Sequence, residues 1–134
     1  MTLYQRIVRA LLFIDQQYLQ TLSLDQLSDA AYFSRFHFLR LFRQLYQVTP
    51  HQYLTRKRID AAKDLLTNSE ASIAEISYDV GFQSVPHFNV TFCKWTGTFP
   101  TQYRETQRQQ LHQALRKPET TIPFCFIRSH YSAE

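Results

Sequence analysis

The sequence is poor in glycine, in cysteine and in long apolar runs. Two glycines among 134 residues, beside many leucines, glutamines and alanines, disfavour a turn-rich β fold and favour helices. Cys93 and Cys125 have neither the spacing of zinc ligands nor the number needed for a disulfide framework. The sequence has no signal-peptide pattern and no apolar run near about 18 residues, so we expect a cytoplasmic, reduced protein without a membrane partner.

The residue patterns of an enzyme are also missing. We find no glycine-rich phosphate loop, no activated nucleophile and no paired carboxylates, and we expect no catalytic residue, no metal and no cofactor. His37 and His87 recur at equivalent positions, for which a paired metal or catalytic role is one interpretation. Because no cysteine or carboxylate lies at ligand spacing beside either histidine, a local hydrogen bond or a phosphate contact is the favoured one.

The positive charge is concentrated in one segment. The net charge is only +4, and a 44% hydrophobic composition is sufficient to bury a core. Between Arg35 and Arg58, however, six residues are basic and none is acidic. Such a local positive field points to an anionic partner such as nucleic acid, with an ordinary solvated basic face as the alternative.

One segment of about thirty residues occurs twice, from Leu24 to Leu54 and from Ile73 to Arg104. At an offset of 50, seven residues of the first copy recur in the second. These are Ser34, His37, Phe38, Phe42, Pro50, Gln52 and Tyr53, which recur as Ser84, His87, Phe88, Phe92, Pro100, Gln102 and Tyr103. The duplication predicts two copies of one recognition element on one chain.

Helical periodicity and capping residues predict an all-α fold of about seven helices. In each copy a short helix, a turn and a longer helix follow one another, which is the helix-turn-helix arrangement. We expect a first subdomain at residues 1–54, a linker helix at 49–67, a second subdomain at 72–104 and a tail of unknown role at 105–134. The tail contains a short apolar run that could form a strand, at Ile122, Phe124, Phe126 and Ile127.

The longer helix of the first copy has a distinctive outer face. Helical spacing predicts an inward face of Phe38, Leu41, Phe42 and Leu45, and the opposite side consists of Phe36, Arg40, Arg43 and Gln47. Arg40 can bind guanine O6 and N7, Phe36 can contact thymine methyls, and Arg43 can hold a phosphate. The alternative is a set of ordinary surface charges beside one exposed aromatic residue.

The longer helix of the second copy differs. Phe88, Thr91, Phe92 and Trp95 are predicted to face inward, and the outer residues, Pro86, Val90, Cys93 and Gly97, are uncharged. Hydrogen-bonding side chains remain on the flanks, at Gln83, His87, Asn89 and Lys94. This helix could read shape and thymine methyls, contact phosphates through its N-terminal amides, or bind a protein partner.

From about residue 3 to residue 104 the chain resembles the DNA-binding domain of the arabinose-regulator (AraC/XylS-type) family of bacterial transcription factors. The resemblance lies in SRFHFLRLFRQLYQVTPHQYLTRKRIDAAKDLL and ISYDVGFQSVPHFNVTFCKWTGTFPTQYR. It implies seven helices, two helix-turn-helix units joined by a long linker helix, and insertion of both recognition helices in the major groove. By length the chain is similar to the short stand-alone members of the family, which bind as monomers.

The chain departs from the family pattern at a few positions. Val90 and Cys93 replace the basic residues that are usual in the second recognition helix, and Leu39 replaces a residue that is often polar. Gln47 stands where the first copy often has glycine, which is tolerable if that turn is not left-handed.

These observations together predict a sequence-specific regulator of transcription that binds double-stranded DNA, and an activator rather than a repressor. The residues expected to face bases are Phe36, Leu39, Arg40, Pro86, His87, Asn89 and Val90. The residues expected to contact phosphates are Ser34, Arg35, Arg43, Arg56, Ser84, Lys94 and Arg104. We expect a monomer at the nucleoid, with RNA polymerase as a possible protein partner. The alternatives are a protein-interaction module and the DNA-binding half of a sensor whose effector domain is absent.

Overall fold

The computed structural model describes residues 1–116, which form seven α-helices and no strand. The helices are α1 (Leu3–Gln17), α2 (Leu24–Ala30), α3 (Arg35–Tyr46), α4 (Pro50–Asn68), α5 (Ile73–Asp79), α6 (Val85–Thr96) and α7 (Pro100–Arg116). The predicted all-α class is confirmed for this range. The apolar run at Ile122–Ile127 lies outside the described residues. None of the seven helices is long and apolar enough to cross a membrane.

Local side-chain hydrogen bonds explain where the helices begin. At the start of α2, Gln26 N donates to Ser23 Oγ at 3.1 Å, and Ser23 N donates to Gln26 Oε1 at 2.8 Å. The same reciprocal capping box opens α1, α4 and α5. Ser34 and Ser84 cap the two recognition helices, as the sequence predicts. The boundaries of the repeated units are therefore set by residues that are read directly from the sequence.

Two hydrophobic cores lie along the chain, and their members correspond. The buried residues of α1, Ile7, Ala10 and Ile14, have the same spacing as Ile59, Ala62 and Leu66 of α4. The duplicated unit is therefore three helices long, with α1–α3 matching α4–α6. The sequence comparison at an offset of 50 revealed only its second and third helices, because α1 and α4 correspond at an offset of 52, where Ile7 and Ala10 recur as Ile59 and Ala62.

Aromatic side chains fill the same places in both cores. The Phe38 and Phe42 rings lie 5.7 Å apart, as do those of Phe88 and Phe92. A tyrosine of the next helix completes each cluster, with Phe42 to Tyr53 at 5.8 Å and Phe92 to Tyr103 at 5.3 Å. The repeated phenylalanines and tyrosines are thus structural residues, and each anchors its recognition helix with one face inward.

The predicted inward positions of Leu45 and Trp95 are wrong. These equivalent side chains are 53% and 41% exposed. The inward place in the last turn belongs to Tyr46, whose ring lies 4.9 Å from that of Phe42 one turn earlier. In α6 it belongs to Thr96, whose hydroxyl donates to the Phe92 carbonyl at 2.8 Å. Leu45 and Trp95 each lie one residue earlier along the helix. Their side chains therefore point about 100° away from the inward position, toward solvent.

The turn at Gln47 is left-handed. From the sequence, we expect a residue other than glycine to be tolerable here only if the turn is not left-handed, and that condition is not met. Gln47 has φ 62° and ψ 13°, and its backbone N–H donates to the Arg43 carbonyl at 2.9 Å. Gly97 ends α6 in the same region, with φ 86°. Since a Cβ destabilises this conformation, Gln47 is a strained helix end.

Candidate nucleic-acid interface

The two helix-turn-helix units have the same turn. Tyr32 and Gly81 have φ values of 59° and 98° at equivalent positions. The following residue, Phe33 or Phe82, donates its backbone N–H to the carbonyl of a buried serine in the preceding helix, at 3.0 and 2.9 Å respectively. Both recognition helices are therefore set by one turn geometry, and they differ in the side chains that they expose.

The outer face of α3 combines one exposed aromatic side chain with two exposed arginines. Phe36 is 77% exposed, and Arg40 and Arg43 are also exposed. These three side chains, with the half-buried Leu39 and with Gln44, line a shallow depression on the helix. Since the opposite face is held by buried phenylalanines, this face is fixed toward solvent.

Gln44 in this depression is absent from the predicted set. Its equivalent in α6 is Lys94, which is among the predicted phosphate contacts. The offset of 50 between the copies would therefore have identified Gln44. Its amide adds a donor and an acceptor beside Arg40 and Arg43.

The outer face of α6 is exposed but uncharged. Val90 is 66% exposed, Pro86 and His87 are exposed, and Asn89 is half-buried. Lys94 is exposed near the end of the helix and is its only lysine or arginine. The predicted difference between the two recognition helices thus extends to the surfaces that they expose.

The repeated histidines pack against aromatic residues of the turns. The His37 ring lies 4.9 Å from the Phe33 ring, and the His87 ring lies 5.5 Å from the Phe82 ring. Both histidines remain exposed. Within residues 1–116 no group of three or more His, Cys, Asp or Glu side chains could hold a metal ion. Packing beside the turn accounts for the recurrence of these two histidines.

Of the six basic residues between Arg35 and Arg58, three have a hydrogen-bond or ion-pair partner within residues 1–116 and three do not. Lys57 Nζ lies 3.0 Å from Asp15 Oδ1, and this hydrogen bond raises the pKa of Lys57. Arg35 Nε lies 3.9 Å from Asp25, and Arg58 donates two hydrogen bonds to backbone carbonyls. No hydrogen bond or ion pair within residues 1–116 involves the other three side chains. These exposed arginines are Arg40, Arg43 and Arg56.

Arg104 differs from its predicted role as a phosphate contact. Its Nε donates to the Leu66 carbonyl at 3.0 Å, and its Nη2 donates to the Ser69 and Ala71 carbonyls at 3.3 and 2.7 Å. The guanidinium thus caps the C-terminal end of α4, where free carbonyls need donors. Its equivalent in the first copy is Leu54, a core residue, so the repeat alone did not reveal this role.

Ser34 and Ser84 keep a donor available at the start of the recognition helices. Each Oγ accepts a backbone hydrogen bond, from His37 N at 3.4 Å and from His87 N at 3.2 Å. The hydroxyl hydrogen is not used in that bond and can donate outward. The helix N-terminus, with its free amides and its dipole, favours an anion at the same place.

Comparison with known proteins identifies the class to which this arrangement belongs. Residues 27–106 match the helix-turn-helix domain family of the AraC/XylS type. The chain belongs to that family.

Among curated relatives, the chain is 33% identical over 92 residues to the probable transcriptional regulator LumQ of Photobacterium leiognathi, covering 69% of this chain and 37% of that protein. It is 32% identical over 98 residues to the melibiose operon regulatory protein of Escherichia coli, covering 73% of this chain and 32% of that protein. The chain thus spans about a third of the length of these two relatives.

Two solved structures have the same architecture. The DNA-binding domain of the global transcriptional factor AdpA, in complex with a target DNA, superposes with a TM-score of 0.72 at 26% identity, covering 84% of this chain and 96% of that one. An AraC-type transcriptional regulator from Chromobacterium violaceum superposes with a TM-score of 0.73 at 27% identity, covering 79% of this chain and 95% of that one.

Proposed function

We propose that this chain binds double-stranded DNA in a sequence-specific manner and regulates transcription, with α3 and α6 in successive major-groove segments. The outer face of α3 carries the proposal, because Phe36, Arg40 and Arg43 stand exposed on a helix whose other face is anchored in the core. The family membership and the fold shared with the AdpA domain, which was solved with its target DNA, support it.

Four side chains on the outer side of α3 have separate roles in this binding mode. Arg40 donates two hydrogen bonds to a guanine, Phe36 and Leu39 contact thymine methyls, and Arg43 holds a phosphate. In α6 the base-facing residues are Pro86, His87, Asn89 and Val90. The other phosphate contacts are Ser34, Arg35, Arg56, Ser84 and Lys94. Arg104 is left out because its Nε and Nη2 donate to carbonyls at and just beyond the end of α4.

The division into two reading units follows the two cores. We propose a first subdomain at residues 1–54, a linker helix at 49–67, a second subdomain at 72–104 and a tail of unknown role at 105–134. One chain then supplies two recognition helices, about one helical turn or roughly 34 Å apart on the duplex. A monomer therefore suffices for a two-block site.

A wider role is proposed beside DNA binding. We propose that the protein acts at the nucleoid in the cytoplasm and activates transcription through contact with RNA polymerase, without catalytic activity of its own. One relative, AdaA of Bacillus subtilis, is described as a bifunctional transcriptional activator and DNA repair enzyme. The match covers 46% of that protein, and we do not extend its repair activity to this chain.

Two other roles have specific support. The uncharged surface of Pro86, Val90 and Cys93 would suit a protein partner, which favours an interaction module. The greater length of the curated relatives favours the DNA-binding part of a sensor regulator.

Selection of bound duplexes from a randomised pool at physiological salt tests the proposed function. Two enriched blocks about 10 base pairs apart are the expected result. One block would assign reading to α3 alone and give α6 to a protein partner. Retention of the pool without enrichment would overturn sequence-specific binding and leave electrostatic attraction.

A further inference from the structure

Arg58 ties the linker helix to the end of α1. Its Nε donates to the Tyr18 carbonyl at 2.7 Å, and its Nη2 donates to the Gln20 carbonyl at 2.6 Å. The side chain is half-buried, and burial lowers the pKa of Arg58. A planar guanidinium with two fixed acceptors holds one orientation, so it fixes where α4 leaves the first unit.

The turn of the second unit closes on the same place. A Cβ on Gly81 would lie 2.9 Å from Arg58 Nε, 3.0 Å from the Leu19 carbonyl oxygen and 3.1 Å from the Tyr18 carbonyl oxygen. A side chain at residue 81 would require Arg58 or these carbonyls to shift, and the φ of 98° also favours glycine. Beside it, Gln83 Nε2 donates to Thr21 Oγ1 at 3.5 Å. We refer to Arg58, Gly81 and the carbonyls of Tyr18, Leu19 and Gln20 as the junction.

The repeat provides an internal comparison for Arg58. Arg108 is its equivalent at the offset of 50, and its Nη2 donates to the Ser69 carbonyl at 3.2 Å and to Glu70 Oε1 at 2.9 Å. Those acceptors belong to the end of α4 and the loop that follows it, within the second three-helix unit. The same buttress thus occurs twice, but only Arg58 lies between the end of α1 in the first unit and the α5–α6 turn of the second.

We propose that Arg58 is a positioning residue for DNA reading: with Gly81 it fixes α6 relative to α3 and so sets the spacing of the two base-pair blocks that the protein accepts. This inference rests on the proposed function. Two recognition helices on one rigid body increase the binding affinity together only when the two base-pair blocks have the matching separation. Two recognition helices on a flexible linker accept several separations, but the increase in affinity is smaller.

The test measures affinity for duplexes that carry both selected blocks, with zero, one or two base pairs inserted or removed between them. One base pair moves the second block by about 3.4 Å along the axis. For the wild type we expect the affinity to fall about tenfold per base pair of displacement, a loss comparable to one mismatched base pair. For Arg58→Ala we expect about tenfold weaker binding at the selected spacing and a profile that stays within about threefold across the series.

Arg108→Ala is the matched control, since it removes the equivalent buttress without touching the junction. We expect it to keep the steep wild-type profile even if its melting temperature falls as much as that of Arg58→Ala. A folded Arg58→Ala protein with the wild-type profile would overturn the inference. If Arg58→Ala does not fold, Gln83→Ala, which removes the neighbouring contact from the surface, should flatten the same profile in part, and an unchanged profile counts against the inference.

A measurement without DNA separates this inference from the proposed function. Residual dipolar couplings of the free wild-type protein should fit one alignment tensor for residues 3–54 and 59–116, whereas Arg58→Ala should require two. One tensor for both proteins would contradict the role of Arg58 as the positioning residue. If the wild type selects no sequence block, the proposed function fails, and the couplings still decide whether Arg58 fixes the two units.

Discussion

Gln47 and Gly97 end the two recognition helices in the same left-handed conformation, with φ values of 62° and 86°. Each donates its backbone N–H to the carbonyl four residues earlier, at 2.9 and 2.8 Å. The two ends are equivalent in geometry and unequal in strain, because only Gln47 carries a Cβ. The first unit is therefore less stable at this point than the second.

Replacing Gln47 by glycine should relieve this strain. We expect Gln47→Gly to raise the free energy of unfolding by about 0.5 to 1 kcal/mol, as measured by chemical denaturation. Gln44→Gly in the same helix is the control, and it should lower stability by about 0.5 to 1 kcal/mol. A loss of stability in Gln47→Gly would show that the left-handed end is not strained.

The two glycines should respond differently to alanine. Gly97→Ala meets no atom within 4 Å, so we expect only the cost of a left-handed alanine, about 1 kcal/mol. Gly81→Ala would also push against Arg58 and two carbonyls, which adds about 1 to 3 kcal/mol. Equal effects in thermal unfolding of the two variants would show that the junction yields easily.

Features with a local cause were predictable from the sequence. The capping pair Ser23 and Gln26 specifies the start of α2, and the spacing of Phe38 and Phe42 fixes which side of α3 faces inward. The same spacing exposes Phe36 and Arg40, so the candidate reading face required no knowledge of tertiary contacts.

Features that depend on contacts between helices were not predictable. Arg104 has the same chemistry in the sequence as a phosphate-binding arginine, and only the position of the end of α4 shows that its Nε and Nη2 donate to backbone carbonyls there. Leu45 was predicted inward because a helical wheel cannot show that Tyr46 packs against the shared core in its place. The partners of Lys57 and Arg58 likewise lie about 40 residues earlier in the chain.

Arg43 and Lys57 should differ in the salt dependence of DNA binding. Arg43 has no partner within residues 1–116, whereas Lys57 pairs with Asp15 at 3.0 Å. We expect Arg43→Ala to weaken binding to all sequences and to reduce the slope of log K against log salt by about 1. Lys57→Ala should leave the slope unchanged in fluorescence-anisotropy titrations. If Lys57→Ala reduces the slope and Arg43→Ala does not, the prediction is wrong and the phosphates lie along α4.

Val90→Arg tests whether α6 enters a groove. A guanidinium added at this exposed position should raise DNA affinity at low salt by about tenfold, since it adds one cation in the negative field of the groove. Leu111→Arg on α7 adds the same charge at another exposed apolar residue and should change affinity much less. If the two variants behave alike, the outer face of α6 does not lie against DNA and is available to a protein partner.

The central claim is that α3 reads bases through Arg40, and sequencing of duplexes selected by the wild type and by Arg40→Ala tests it most directly. We expect the variant to lose preference at one base position within one block, to keep the remaining pattern and to bind about 1 to 3 kcal/mol more weakly. Weaker binding with every base preference intact would contradict the claim and make Arg40 a phosphate contact.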